Sequence, residues 1–194
     1  MIVAVAVAVA GALAVVVAWR LTVAGRVSVW WSMGFVEGAA GVGAIATGRV
    51  RPSHGLAPVE ALAIGLGAGL ALYLATRAFV AVARRSPVFE RHVATIYGRR
   101  EGLSLWPTLV LAAGVTASGE ELFWRGLVQG RFGVLATWGA YVLVNVASES
   151  LPIVAGAIVS GAVWGGLALG THGVFASLGC HAVWTALMLA LPPA

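Results

Sequence analysis

Three ionisable side chains lie within one apolar run: Glu120, Glu121 and Arg125, in Ser-Gly-Glu-Glu-Leu-Phe-Trp-Arg-Gly (118–126). A charged side chain at the centre of a bilayer costs about 2.5–3.5 kcal/mol or more, so such a cluster needs a partner, a wet cavity or a reaction. Residues four apart share a helix face, which predicts a Glu121–Arg125 ion pair and directs Glu120 elsewhere. Glu120 then suits a general base that activates water. The alternative is a structural ion pair beside a helix-end carboxylate.

Two polar pairs follow on later apolar segments. Tyr141 and Asn145 share one helix face, and His181 and Thr185 share another, both at four-residue spacing. If these groups surround one cavity with Glu120, the set suits hydrolysis, with a base for water and neutral donors for the developing oxyanion. The alternative for His181 is a packing residue with its polar atoms satisfied.

The composition indicates which elements must position these residues. Of the 194 residues, 60% are hydrophobic and 10% charged, and the mean hydropathy is +0.96. These values are typical of a membrane protein and not of a soluble domain. The net charge of +5 comes from arginines between apolar runs, as juxtamembrane anchors do, so no nucleic-acid partner is predicted. A single cysteine, Cys180, excludes an internal disulfide.

A spanning helix needs about 20 mostly apolar residues. The sequence therefore predicts an all-α, polytopic membrane bundle of about seven transmembrane helices, in a multi-pass protein of the bacterial inner membrane. The first apolar run lacks a preceding basic region, which favours a helix over a signal peptide. The basic stretch 83–102 is predicted to be cytoplasmic and the amino terminus outside. The predicted helices are 2–19, 27–48, 59–82, 103–125, 132–148, 151–170 and 174–191.

A single membrane domain is predicted, with amino-terminal helices and the basic loop in 1–102 and the candidate catalytic core in 103–194. Glu37 lies inside the second segment, and we expect it to be paired within the bundle and not to act in chemistry. Small residues at four-residue spacing let helix backbones approach closely in lipid. They predict packing seams at Gly65 and Gly69, Gly126 and Gly130, and Gly161 and Gly165.

Together these blocks resemble the CPBP family of intramembrane proteases (CAAX protease and bacteriocin-processing, also called Abi), which includes type 2 CAAX prenyl endopeptidases. The family's Glu-Glu-x-x-x-Arg motif is intact at 120–125. Its Phe/Tyr-x-x-x-His motif is similar to 141–145, with Asn145 in place of histidine. Its His-x-x-x-Asn/Asp motif is similar to 181–185, with Thr185 in place of Asn or Asp. The resemblance covers about residues 103–193.

The resemblance implies hydrolysis of a peptide bond within the bilayer by a glutamate-activated water. Implied substrates are membrane-anchored or lipidated peptides, of CAAX type, bacteriocin type or sorting-tail type. The implied roles are general base for Glu120, helped by Asn145, oxyanion stabilisation for His181 and Thr185, and a structural role for Glu121 and Arg125.

Both departures put turnover in question. The asparagine amide has no useful basicity, and loss of one oxyanion donor costs about 2.7–4 kcal/mol in other enzymes. A weakened or inactive relative that acts as a membrane binding or scaffold protein is therefore the alternative. A small transporter that uses Glu37, Glu120 and Arg125 as an ion path is a lesser one.

Other residues are candidates for the missing histidine. A shifted register places Glu149 or Ser150 at that position, and Glu149 would then form a proton-sharing carboxyl pair with Glu120. His172, in the turn before the last segment, is a further candidate if that turn folds back. A catalytic zinc needs about three protein ligands, and only Glu120 and His181 qualify, so no metal and no cofactor are predicted.

Overall fold

The computed structural model describes residues 2–50, 55–87, 89–91 and 103–193. Over these residues the chain forms helices and no strands, which confirms the all-α prediction. Most of the basic loop predicted at 83–102 lies outside the described residues. Within the described ranges the principal helical segments are, in order, α1 Ile2–Val23, α2 Val29–Ala46, α3 Pro58–Ala83, α4 over 105–132, α5 Val134–Val146, α6 Leu151–Gly170 and α7 Phe175–Ala190.

Three of these helices, α1, α3 and α6, are long and apolar enough to cross a membrane, and α5 and α7 are shorter apolar helices. Large apolar side chains point outward, including Phe35, Trp106 and Leu135, each more than three-quarters exposed. An outward apolar surface of this kind marks contact with lipid. The protein is therefore a membrane helix bundle.

Helix α4 carries the Glu-Glu-x-x-x-Arg run and differs most from the prediction. It alternates between α-helix, at Leu105–Leu109, Ala117–Glu120 and Gln129–Phe132, and π-helix, at Val110–Thr116 and Glu121–Val128. The predicted end at residue 125 is wrong: the apolar residues after it are buried, and the helix ends only before Gly133, whose φ is 83°. Glycine adopts that conformation without strain. π-Helical turns occur often at functional sites.

Helices α2 and α4 touch backbone to backbone at Gly119. A Cβ atom added there would lie 2.2 Å from the carbonyl oxygen of Glu37, and one added to Gly41 would lie 2.8 Å from Cα of Gly119. Only glycine, which has no Cβ atom, permits the two backbones to approach this closely. The crossing fixes which α2 residues face the motif.

The glycine seams predicted from the sequence are largely present. Added Cβ atoms at Gly65 and Gly69 would lie 2.2 and 2.7 Å from backbone oxygens of α7. At Gly161 and Gly165 they would meet α5 side chains at 2.9 and 3.2 Å, and at Gly126 the Val50 side chain at 2.8 Å. The prediction is wrong for Gly130, which is exposed and has open space within 4 Å, because it lies beyond the packed part of α4.

An aromatic core stands beside the motif. Phe123 and Trp124 are almost fully buried, and the Trp124 ring packs edge-on against Tyr141 at 5.6 Å between centroids. Tyr141 packs against Trp164 of α6 at 6.3 Å. Edge-to-face aromatic contacts add about 0.5–1.5 kcal/mol beyond area burial. This core holds α4, α5 and α6 in fixed positions around the charged residues.

Candidate active site

Glu121 is the centre of a buried charged cluster. Its side chain has no exposed surface, and its Oε1 lies 3.4 Å from Nη1 of Arg125 and 2.9 Å from Nδ1 of His181. The expected Glu121–Arg125 contact is thus present, as an ion pair and not a hydrogen bond. Burial of a carboxylate requires such partners. The second contact, to His181, was not predicted from the sequence.

Arg125 joins the motif helix to α5 and α6. Its Nη2 donates to the carbonyl oxygen of Gly161 at 3.5 Å. The guanidinium also lies over the rings of Tyr141 and Trp164, at 4.6 and 5.3 Å from their centroids. A cation over an aromatic face is attracted by about 0.5–2 kcal/mol. The charge of Arg125 is therefore held between one carboxylate and two rings.

His181 is fixed from two sides. Its ring stacks on Trp164, with centroids 3.6 Å apart and 16° between the planes. An ionised carboxylate only accepts hydrogen bonds, so Nδ1–H donates to Glu121 and the ring keeps Nε2 as its second polar atom. The resemblance implied an oxyanion position for His181. In the structure it contacts Glu121.

Glu120 occupies a different environment from its neighbour. Its side chain is partly exposed, and its Oε2 accepts a hydrogen bond from the Tyr141 hydroxyl at 2.9 Å. His181 and Arg125 lie within electrostatic range of it. The two adjacent carboxyl groups therefore have separate partners, as expected from their angular separation on a helix.

Asn145 does not contact Glu120 in the described structure. Its amide donates to the carbonyl oxygen of Tyr141, four residues earlier on the same helix, at 2.9 Å. The polar contact with Glu120 comes instead from Tyr141, whose hydroxyl reaches farther than an amide. The helping role implied for Asn145 stays a prediction. Thr185 is partly buried on α7, and its hydroxyl makes no hydrogen bond among the described residues.

The alternative candidates for the missing histidine lie elsewhere. Glu149 is half exposed and forms an ion pair with Arg20 at the end of α1, so the predicted pairing with Glu120 is wrong. The turn that follows α5 carries Glu149 out of the bundle. Ser150 is buried, and its backbone N–H donates to the hydroxyl of Ser148. His172 is exposed, with a φ of 52°.

A cavity of about 930 Å³ opens near the end of α4. Arg49, Arg131 and His172 are among its lining residues, and Arg125 forms part of its wall. Glu120 is not in the lining, although we expected a hollow around it.

Glu37 was expected to be paired within the bundle, and this is wrong for the described residues. Its side chain is 2% exposed, and its Oε2 is buried without a hydrogen-bond partner there. Glu120, Glu121 and Arg125 all lie within electrostatic range. A charged residue in an apolar segment is itself a signal, but the sequence does not indicate which helix Glu37 faces.

No group of three or more His, Cys, Asp or Glu side chains that would hold a metal ion occurs within 2–50, 55–87, 89–91 and 103–193. That no metal takes part stays a prediction.

Residues 102–187 match a family model described as type II CAAX prenyl endopeptidase, Rce1-like. This segment is similar to the Rce1-like endopeptidases. The family prediction is confirmed over these residues. Neither the curated proteins nor the solved structures gave a significant match.

The Rce1-like segment begins just before α4 and ends within α7. It therefore contains the whole cluster around Glu121, together with Glu120 and Tyr141. Glu37 lies outside it, on α2. The structure thus brings a residue from the amino-terminal helices against the Rce1-like part of the chain.

Proposed function

We propose that the protein is an intramembrane endopeptidase that hydrolyses a peptide bond by means of a water molecule activated by Glu120. The supporting observation is the contrast between adjacent carboxyl groups. Glu121 is buried and engaged by Arg125 and His181, whereas Glu120 is partly exposed and, within the described part of the chain, accepts one side-chain hydrogen bond, from the Tyr141 hydroxyl. A general base needs a positioned carboxylate that can reach water.

In the proposed reaction Glu120 takes a proton from a water molecule while the oxygen of that water adds to the carbonyl carbon of the substrate. The proton then passes to the nitrogen of the leaving amine as the C–N bond breaks, which regenerates the carboxylate. Such proton transfers contribute about 10²–10⁴-fold to rates. Tyr141 fixes the orientation of Glu120 through its hydroxyl.

We assign the stabilisation of the oxyanion to His181 and Thr185. The bond from Nδ1 to Glu121 and the stack on Trp164 fix the imidazole plane. Nε2 is then the ring atom that meets the substrate, and since Nδ1–H is donated to Glu121, it stabilises the oxyanion as the second N–H of an imidazolium. Donors fixed in this way need no reorganisation during the reaction. Glu121 and Arg125 serve as the framework, since their contacts join α4 to α5, α6 and α7.

The proposed substrate is a membrane-anchored or lipidated peptide, and the prenylated CAAX type is favoured by the family description. Bacteriocin-type and sorting-tail precursors are the other candidates. We further propose that all seven helices cross a bacterial inner membrane, and that 1–102 and 103–194 form one membrane domain with the catalytic core in the second part. We propose no nucleic-acid partner.

A second candidate function is a binding or scaffold protein with little turnover. It is favoured by Asn145, whose side-chain amide donates to the backbone of its own helix. It is also favoured by Thr185, whose hydroxyl has no hydrogen bond among the described residues. In this case the site would retain the peptide without cleaving it.

The test uses the full-length protein in liposomes and a farnesylated peptide that ends in a CAAX sequence. Glu120→Gln is expected to abolish cleavage, since the amide takes no proton from water. Glu149→Gln, which removes an exposed carboxylate outside the cluster, is the control and is expected to cleave at the wild-type rate. Unchanged cleavage by Glu120→Gln refutes the catalytic assignment.

The second candidate is tested with the double variant Asn145→His, Thr185→Asn. If the wild type binds the peptide and only the double variant cleaves it, the binding function is correct.

A further inference from the structure

Glu37 approaches the site through the contact between α2 and α4. Its carbonyl oxygen would lie 2.2 Å from a Cβ atom at position 119, and the backbone nitrogen of Gly38 would lie 2.8 Å from it. The two helices therefore meet at the residue that precedes Glu120. The carboxyl groups of Glu37 and Glu120 flank this crossing.

The carboxyl of Glu37 has no cation of its own in the described structure. One of its oxygens is buried without a hydrogen bond, and the charged residues it faces are Glu120, Glu121 and Arg125, all on α4. The other helix packed on α2 is α1. Its one charged residue, Arg20, pairs with Glu149 instead.

The charges within this cluster do not balance if every carboxyl is ionised. Glu37, Glu120 and Glu121 share one arginine, Arg125, while His181 is bound to Glu121. Unpaired charge away from water costs several kcal/mol per ion. Two carboxyl groups in one site avoid this cost when one of them retains a proton.

We propose that Glu37 is a positioning residue whose carboxyl retains its proton and so keeps Glu120 ionised as the base. This inference rests on the proposed function. Glu37 takes the proton because it is the more deeply buried of the two and its Oε2 has no donor among the described residues, whereas Glu120 accepts from the Tyr141 hydroxyl. The proton stays on Glu37 throughout, while the proton from water passes through Glu120 to the leaving amine.

The proposal also supplies a carboxyl partner where Asn145 offers no acid or base. The partner comes from α2, outside the Rce1-like segment. In this chain the second proton-holding group of the site is therefore placed on a different helix from the 141–145 motif.

Infrared spectroscopy of the full-length protein in liposomes at neutral pH tests the proton directly. A protonated carboxylic acid shows its own carbonyl stretch, distinct from that of a carboxylate. We expect this band in the wild type, in Glu120→Gln and in Glu149→Gln, and its loss in Glu37→Gln. A band that persists in Glu37→Gln, or that disappears in Glu120→Gln, overturns the proposal. If Glu37→Gln fails to fold, the band in Glu120→Gln decides where the proton lies.

Cleavage of the farnesylated CAAX peptide tests the positioning role. Glu37→Leu, which removes the polar group, is expected to lower kcat by about 10-fold, as the loss of one hydrogen-bonding group does, with KM within about twofold. Glu37→Gln keeps a neutral polar group of the same shape as the protonated carboxyl and is expected to restore most of kcat. Equal kcat in Glu37→Leu and the wild type, or in Glu37→Leu and Glu37→Gln, refutes the role. If Glu120→Gln also cleaves, the proposed function itself has failed, and the infrared result still reports where the proton is.

Discussion

Replacement of Gly119 by alanine probes the helix crossing that brings Glu37 to the site. The new Cβ atom would lie 2.2 Å from the carbonyl oxygen of Glu37 and 2.4 Å from its carbon, whereas ordinary contact begins at 3.4 Å. Both atoms are backbone, so no side-chain rotation relieves the clash. The helices must move apart by about 1 Å, the difference between these distances.

The expected cost follows from this displacement. Overpacking costs about 1–3 kcal/mol, and the removal of a helical glycine returns about 0.5–1 kcal/mol. At their central values these terms leave a net loss of about 1 kcal/mol in the free energy of unfolding. For a chain of this length that lowers the midpoint of thermal unfolding by about 2–4 °C. A displacement of about 1 Å at the site also lowers the cleavage rate by up to about 10²-fold.

Gly114→Ala is the matched control on the same helix, since an added Cβ there meets no atom within 4 Å. Thermal unfolding in detergent, followed by tryptophan fluorescence, compares both variants with the wild type, and the farnesylated peptide reports cleavage. The control is expected to be unchanged or stabilised by about 0.5–1 kcal/mol. If Gly119→Ala unfolds and cleaves like the wild type, or if both variants lose the same stability, the crossing is not as described.

Three further predictions concern the charged residues. Tyr141→Phe removes the hydroxyl that donates to Glu120; since a hydrogen bond to a charged group contributes about 1.5–3 kcal/mol, we expect kcat to fall by about 10- to 150-fold, measured by peptide cleavage. Arg125→Lys retains the charge but loses the planar group that lies over two rings, so thermal unfolding is expected to occur at a lower temperature; an unchanged midpoint contradicts this. Glu149→Gln breaks a half-exposed ion pair with Arg20, and such pairs contribute about 0–1 kcal/mol. The free energy of unfolding, measured by chemical or thermal denaturation, is therefore expected to fall by no more than that amount. A larger loss would show that the pair anchors α1.

Residues close together on one helix were predictable from the sequence. The spacing of Glu121 and Arg125 set their contact, and apolar runs set the helices to within a few residues except at the end of α4, which extends to Phe132. Four-residue glycine spacing marked the seams at Gly65 and Gly161, because helical periodicity alone decides which residues share a face. The family resemblance over the Rce1-like segment was also evident from motif residues.

Contacts between helices required the tertiary structure. Sequence periodicity does not predict that His181 bonds to Glu121, that Tyr141 and not Asn145 reaches Glu120, or that Glu37 faces the same cluster. Each contact depends on how whole helices cross and rotate against one another, and that geometry is set by many packed residues at once. Periodicity fixes a helix face, whereas only packing decides what that face meets.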